Sequence, residues 1–153
     1  MRKITGLVVL TFIFLFVLQA HAQSVSGSIG KSTVKRGTTV KGKIVLDIPE
    51  GVHVNSSLPE TEFAIPTTLK ISGSGVRILK IAYQKGADRK FEFSETPINV
   101  YEKQAVMNFS FYVPQNFKGK TVSIRAVINY QACTTEVCYP PVKRTVNLTA
   151  AVR

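Results

Sequence analysis

Cys133 and Cys138 are the only two cysteines of this 153-residue chain, and they enclose Thr134-Thr135-Glu136-Val137. A connection this short between two strands can bring the Cα atoms within the roughly 4.4 to 6.8 Å that a disulfide demands. A pair so placed has three uses: it pins a hairpin, it exchanges electrons with another thiol pair, or it binds a soft metal through both thiolates. The third use is poorly supplied. A site built from Cys133, Cys138 and His53 has three nitrogen or sulfur ligands, and the second ligand pair of a structural zinc site is missing. No metal and no other cofactor is expected.

Other chemistry fails on inventory. Beyond residue 22 the chain keeps one histidine, His53, and no G-x-S-x-G elbow, so a Ser-His-Asp triad has little to work with. On a strand, His53 reads as an ordinary half-buried imidazole. Gly27-Ser28-Ile29-Gly30-Lys31-Ser32 ends like a phosphate-binding loop, but Val25 stands where the first glycine is required. The Asn-x-Ser/Thr tripeptides at Asn55, Asn108 and Asn147 are too common in Ser/Thr-rich chains to carry a function.

The compartment follows from the first 22 residues. Arg2 and Lys3 precede an apolar run, Leu7 to Leu18, and Ala20-His21-Ala22 places small residues as a signal peptidase requires. The run is shorter than the roughly 20 residues of a spanning helix. The reading is a signal peptide over residues 1–22, cleaved before Gln23, and a single domain over 23–153 that is exported to the periplasm or secreted and is not embedded in a membrane. There the cysteine pair can oxidise. Losing Arg2 and Lys3 lowers the net charge from +11 to +9. The remaining cations come at most two in a row and many alternate with apolar residues, which fits a solvated basic surface and not a nucleic-acid site.

The elements that position the pair are strands. Met107, Phe109, Phe111 and Val113 alternate with polar neighbours, as do Val122, Ile124, Ala126, Ile128 and Tyr130, and then Val146, Leu148, Ala150 and Val152. Earlier strands are expected at 24–29, 38–48, 52–55, 67–72, 76–83, 89–93 and 98–102. Turns fall at 49–51, 57–59, 72–75, 85–88 and 114–119, where Gly, Pro, Ser and Asp collect. No helical stripe appears. Short strands at this spacing predict an all-β fold, an immunoglobulin-like antiparallel β-sandwich.

Placed between a strand ending near Ala132 and one starting near Val142, the pair makes a weak staple. Closing a loop of about six residues removes about 2 kcal/mol of unfolded-state entropy, against nearly 5 for a loop of about 100. An accessible redox couple is the competing use. Its intrinsic reactivity is expected to be modest, because no Lys, Arg or His lies inside the loop and Glu136 opposes thiolate formation. Selective exchange then requires a docked partner.

Tyr130-Gln131-Ala132-Cys133 followed by Cys138-Tyr139-Pro140-Pro141 resembles the Y-Q-x-C…C-x-P-P signature of the N-terminal domain of the thiol:disulfide interchange protein DsbD. The similarity extends upstream through Gly51 to Ser56, Ile65-Pro66-Thr67 and Phe91-Glu92-Phe93 to Tyr101-Glu102. It implies an immunoglobulin-like fold and a periplasmic role, linked in this family to cytochrome c biogenesis, in passing reducing equivalents to exported disulfide-bearing clients. Cys133 and Cys138 would be the redox pair, with Cys138, which opens onto the Tyr-Pro-Pro turn, as the partner-facing sulfur. An aromatic cap would be Phe93, or else Phe91, and Tyr130, Glu136, Tyr139 and Pro140 would frame the site. The family's full-length protein continues into a membrane domain and a thioredoxin-like domain, so a chain ending at Arg153 is expected to be reduced by a separate membrane thiol-disulfide reductase or thioredoxin-like protein. Whether it counts as an enzyme, a protein-disulfide reductase, is left open. The alternative from another class is a non-catalytic binding or assembly module with a structural hairpin disulfide.

Overall fold

The computed structural model describes residues 23–153, and the expected signal peptide lies outside them. Where apolar and polar residues alternate over about ten positions, the chain runs as long strands: β3 (Thr38–Asp47), β9 (Gln104–Val113), β10 (Thr121–Tyr130) and β12 (Val142–Val152). Shorter strands β1 (Ser24–Ile29), β5 (Thr68–Gly73) and β6 (Arg77–Tyr83) complete two facing sheets. The first has the order β1-β3-β9-β6 and is antiparallel. The second has the order β2-β12-β10-β5, in which the two-residue β2 (Thr33–Val34) joins β12 in parallel.

Period two sends one side of each long strand inward. Ile44, Leu46, Met107 and Phe111 from the first sheet share one core with Val122, Ile124 and Ile128 from the second, all of them buried. Each such side chain stabilises the fold by about 1.5–3 kcal/mol on burial. Gly42 sits opposite Phe109 in the β3–β9 register, and a Cβ there would run into the Phe109 ring. The glycine lets the aromatic lie across the strand. The result is the expected immunoglobulin-like β-sandwich.

A third, smaller sheet has the order β11-β4-β8-β7, formed by Ala132–Cys133, His53–Asn55, Ile98–Tyr101 and Ala87–Arg89. Its two faces do different work. Val54, Tyr101 and Ala132 face the sandwich core, while Ile98 and Val100 point the other way and join Phe91 in a second small cluster. Here the structure departs from the sequence reading. Residues expected as a turn at 85–88 include a strand, because Asp88 and Arg89 pair with Asn99 and Ile98. Residues 90–93, expected as a strand, leave the sheet as Phe91 turns into the small cluster.

Candidate thiol–disulfide site

The chain leaves the sandwich at the end of β10, makes a hairpin, and returns along β12, where Tyr130 and Val142 face each other. Within the hairpin Cys133 and Cys138 form an antiparallel bridge. Tyr139 N donates to Ala132 O at 2.9 Å, and Thr134 N donates to Val137 O at 2.8 Å. The cysteines therefore occupy the non-hydrogen-bonded position between two ladder bonds, where side chains approach most closely. Their Cα atoms are 4.0 Å apart, slightly closer than the range expected from the sequence, and the sulfurs are joined at 2.00 Å. Thr134 tightens the turn: its Oγ1 accepts from Glu136 N at 3.2 Å and from Val137 N at 3.1 Å.

The two sulfurs are not equivalent. Cys133 is fully buried, held in β11 against β4, whereas Cys138 is exposed. Both border a groove of about 240 Å³. Its floor is the outer face of the small sheet. His53 is the register partner of Cys133, so the two side chains project on the same side. Asn55 lies two residues along, and its Nδ2 donates to Gln131 Oε1 and Ile65 O, both at 3.2 Å. Thr67 Oγ1 donates to Asn55 O at 2.6 Å, which fixes the loop between β4 and β5 beneath the floor strand.

Two loops wall the groove. Residues 56–67 contribute Thr61, Phe63 and Ala64, and residues 90–97 contribute Phe93 and Ser94. An aromatic stack runs along this side: His53 on Phe91 at 4.2 Å between ring centroids, and Phe91 on Phe93 at 5.2 Å. Burial holds the His53 pKa below that of a free imidazole, and the nearby Glu102 carboxylate opposes the shift. The Nε2 of His53 is buried and has no hydrogen-bond partner.

Of the residues singled out in the sequence, Cys133, Cys138 and Phe93 converge on the groove. Tyr139 is half exposed beside Cys138, with its carbonyl accepting from Gln131 Nε2 at 3.1 Å. Glu136 is exposed at the hairpin tip and Pro140 is exposed beyond Tyr139. Tyr130 is buried in the sandwich core and does not border the groove; its unpartnered, buried hydroxyl has its pKa raised by burial. His53, Asn55, Phe63 and Gln131 are groove residues that the sequence reading did not assign. For His53, Asn55 and Gln131 the signal was partial: the strand expected at 52–55 and the one ending near Ala132 gave the local direction of the chain, but not the pairing of the two stretches. For Phe63, 92% exposed in a loop without periodicity, there was none. Among the described residues, no cluster of three or more His, Cys, Asp or Glu side chains is placed to hold a metal ion.

A β-sandwich that carries a cross-strand cysteine pair in a hairpin beside a shallow aromatic groove defines a class of small disulfide-bearing domain. Residues 25–150 match the family model of the thiol:disulfide interchange protein DsbD, N-terminal, and the chain belongs to that family. The N-terminal periplasmic domain of ScsB from Proteus mirabilis has a similar fold, with a TM-score of 0.57 and 13% identity; the match covers 88% of this chain and 49% of that one. The DsbD N-terminal domain of Neisseria meningitidis, in the reduced form, is 20% identical, with a TM-score of 0.48 and coverage of 83% and 85%. No curated protein matches the chain. The described residues contain no helix long and apolar enough to cross a membrane.

Proposed function

We propose that this protein is an exported thiol–disulfide interchange module that passes reducing equivalents to partner proteins through the Cys133/Cys138 couple. Membership of the DsbD N-terminal family supports the chemistry. The observation that carries the reading is the unequal placement of the two sulfurs at an open groove, Cys138 exposed and Cys133 buried. A couple that exchanges with proteins needs one sulfur that a partner can reach and one held back to resolve the mixed disulfide.

In this reading the thiolate of reduced Cys138 attacks a partner disulfide, and the partner's first sulfur leaves as a thiolate. Cys133 then attacks Cys138 Sγ, closing the intramolecular disulfide and releasing the partner's second thiolate. Two electrons and two protons pass to the partner. A thioredoxin-like protein or a membrane thiol-disulfide reductase restores the dithiol. Residues 1–22 act as a cleaved signal peptide, and the domain of residues 23–153 works in the periplasm. Phe63, Phe93, Val137 and Tyr139, all exposed around the pair, form the apolar rim on which a partner docks.

The deciding measurement is the reduction potential of the pair. A value between about −180 and −270 mV marks an exchanging couple, and one below about −300 mV makes the bond structural and overturns the reading. Cys133→Ala is expected to trap a partner on Cys138, and Cys138→Ala to trap none; the reverse result exchanges the two roles.

A further inference from the structure

His53 has no part in the exchange as just described, yet it stands beside the sulfur that is hardest to activate. Cys133 must become a thiolate to resolve the mixed disulfide, but it is fully buried. The groove it borders is lined by no Lys, Arg, Asp or Glu, so no fixed charge there stabilises a thiolate and no water-facing carboxylate takes the proton. The imidazole in register with it, on the same face of the small sheet, presents a buried Nε2 without a partner in the disulfide state. A buried polar atom left unpaired costs free energy, and a state that gives it a partner is favoured relative to one that does not. Reduction supplies that state by creating a new S–H donor in the same wall.

We propose that His53 is the proton acceptor for Cys133: Nε2 takes the Sγ proton as the Cys133 sulfur attacks Cys138 Sγ in the mixed disulfide. The Cys133–Cys138 bond forms and the bond from Cys138 to the partner breaks. The electron pair leaves on the partner sulfur, and the proton held by the imidazole passes to that thiolate, by way of solvent in the groove. Read in reverse, the imidazolium returns the proton to Cys133 when the module is itself reduced.

The surroundings suit the role. Stacking on Phe91 fixes the ring plane. Burial keeps the ring neutral and so able to accept a proton near pH 7, while Glu102 lies close enough to favour the imidazolium once it forms. On its other side His53 borders a second cavity with Glu50, Glu102 and Lys103. Glu102 there is already engaged by Arg89 at 2.7 Å, so the carboxylate stays ionised across the relevant pH range.

The inference rests on the interchange reading for its sequence of steps, and the test keeps the two apart by using chemically reduced protein and dithiobis(nitrobenzoate) as the disulfide. With reagent in excess the first thiolate equivalent reports attack on the reagent, and the second reports resolution by the remaining cysteine. His53→Phe, which keeps the aromatic stack, is expected to leave the first phase within about twofold and slow the second at least tenfold at pH 7, within the range of general-base effects. In the unaltered protein the second phase is expected to be flat between about pH 7 and 8; in the variant it should rise about tenfold per pH unit there, as for a thiol that titrates above that range. His53→Gln, which keeps a polar group but cannot take a proton, is expected to behave the same way and serves if the Phe variant does not fold. Slowing of less than tenfold, or slowing that leaves the pH plateau in place, overturns the role. A reduction potential in the structural range together with a His53-dependent second phase would instead overturn the carrier reading alone.

Discussion

The sandwich and the small sheet follow opposite rules of burial. Along β3, β9, β10 and β12 apolar side chains turn inward and polar ones outward. In and beside the small sheet the pattern inverts: His53, Asn55, Ser56 and Thr67 are the buried polar residues among those described, and Leu58, Phe63, Ile65, Phe93, Val137 and Tyr139 are exposed. Only Leu79, on β6, adds a large exposed apolar residue from the sandwich strands. A buried polar group costs free energy unless it is paired, and an exposed apolar patch is a liability unless something covers it. Both concentrate where the cysteines are. The sandwich provides the stability, and the small sheet holds the less favourable arrangements that the proposed exchange with a partner would use.

That division is sharpest at Phe111, fully buried in the sandwich. Phe111→Ala is expected to cost about 3–5 kcal/mol by lost transfer free energy and the cavity left behind. Denaturant midpoints, with the slope unchanged, measure it. A loss under about 1 kcal/mol would mean the sandwich is not the stabilising unit. Replacing both cysteines, Cys133→Ala with Cys138→Ala, is expected to cost only about 2 kcal/mol, as a six-residue loop implies, and to leave a cooperative transition. If instead the double variant loses about 5 kcal/mol or fails to fold, the disulfide is a staple and the contrast between the regions collapses.

How far each region could be read in advance follows from the same contrast. The long strands declare themselves because ten alternating residues leave few other solutions; the 121–130 strand emerges with the bounds its pattern implies. The two-residue strand Thr33–Val34 cannot show a period and was invisible, and Ala132–Cys133 read only as the tail of the strand before it. Phe91-Glu92-Phe93 imitates strand alternation, but its aromatic rings stack on one another and on His53 outside any sheet. In the site, chemistry was legible and company was not. The cysteine pair stood out by type and motif and Phe93, or else Phe91, only through the family resemblance, whereas His53 becomes notable only when β4 is laid beside β11 and the imidazole meets Cys133 in register.

The smallest expected effect tests that last pairing through stability. His53 is the one histidine beyond residue 22, so a histidine titration in the folded domain belongs to it. Its folded-state pKa lies below the unfolded value because burial disfavours the imidazolium. Between those two values the unfolded chain binds more protons than the folded one, and unfolding is favoured as protons are added. The contribution of His53 is therefore fully present above the unfolded value of about 6.5 and is lost progressively as pH falls from there toward the folded value. Glu102, whose pKa is lowered chiefly by its hydrogen bond with Arg89, contributes its loss only further into acid, which leaves the histidine step separate. Denaturant melts of the oxidised protein from about pH 7.5 to 5 should show a modest fall in stability that His53→Phe abolishes. A profile that is flat, or that falls equally in the variant, would mean that the imidazole charges as easily folded as unfolded, and the buried polar wall beside Cys133 would then differ little from an ordinary surface.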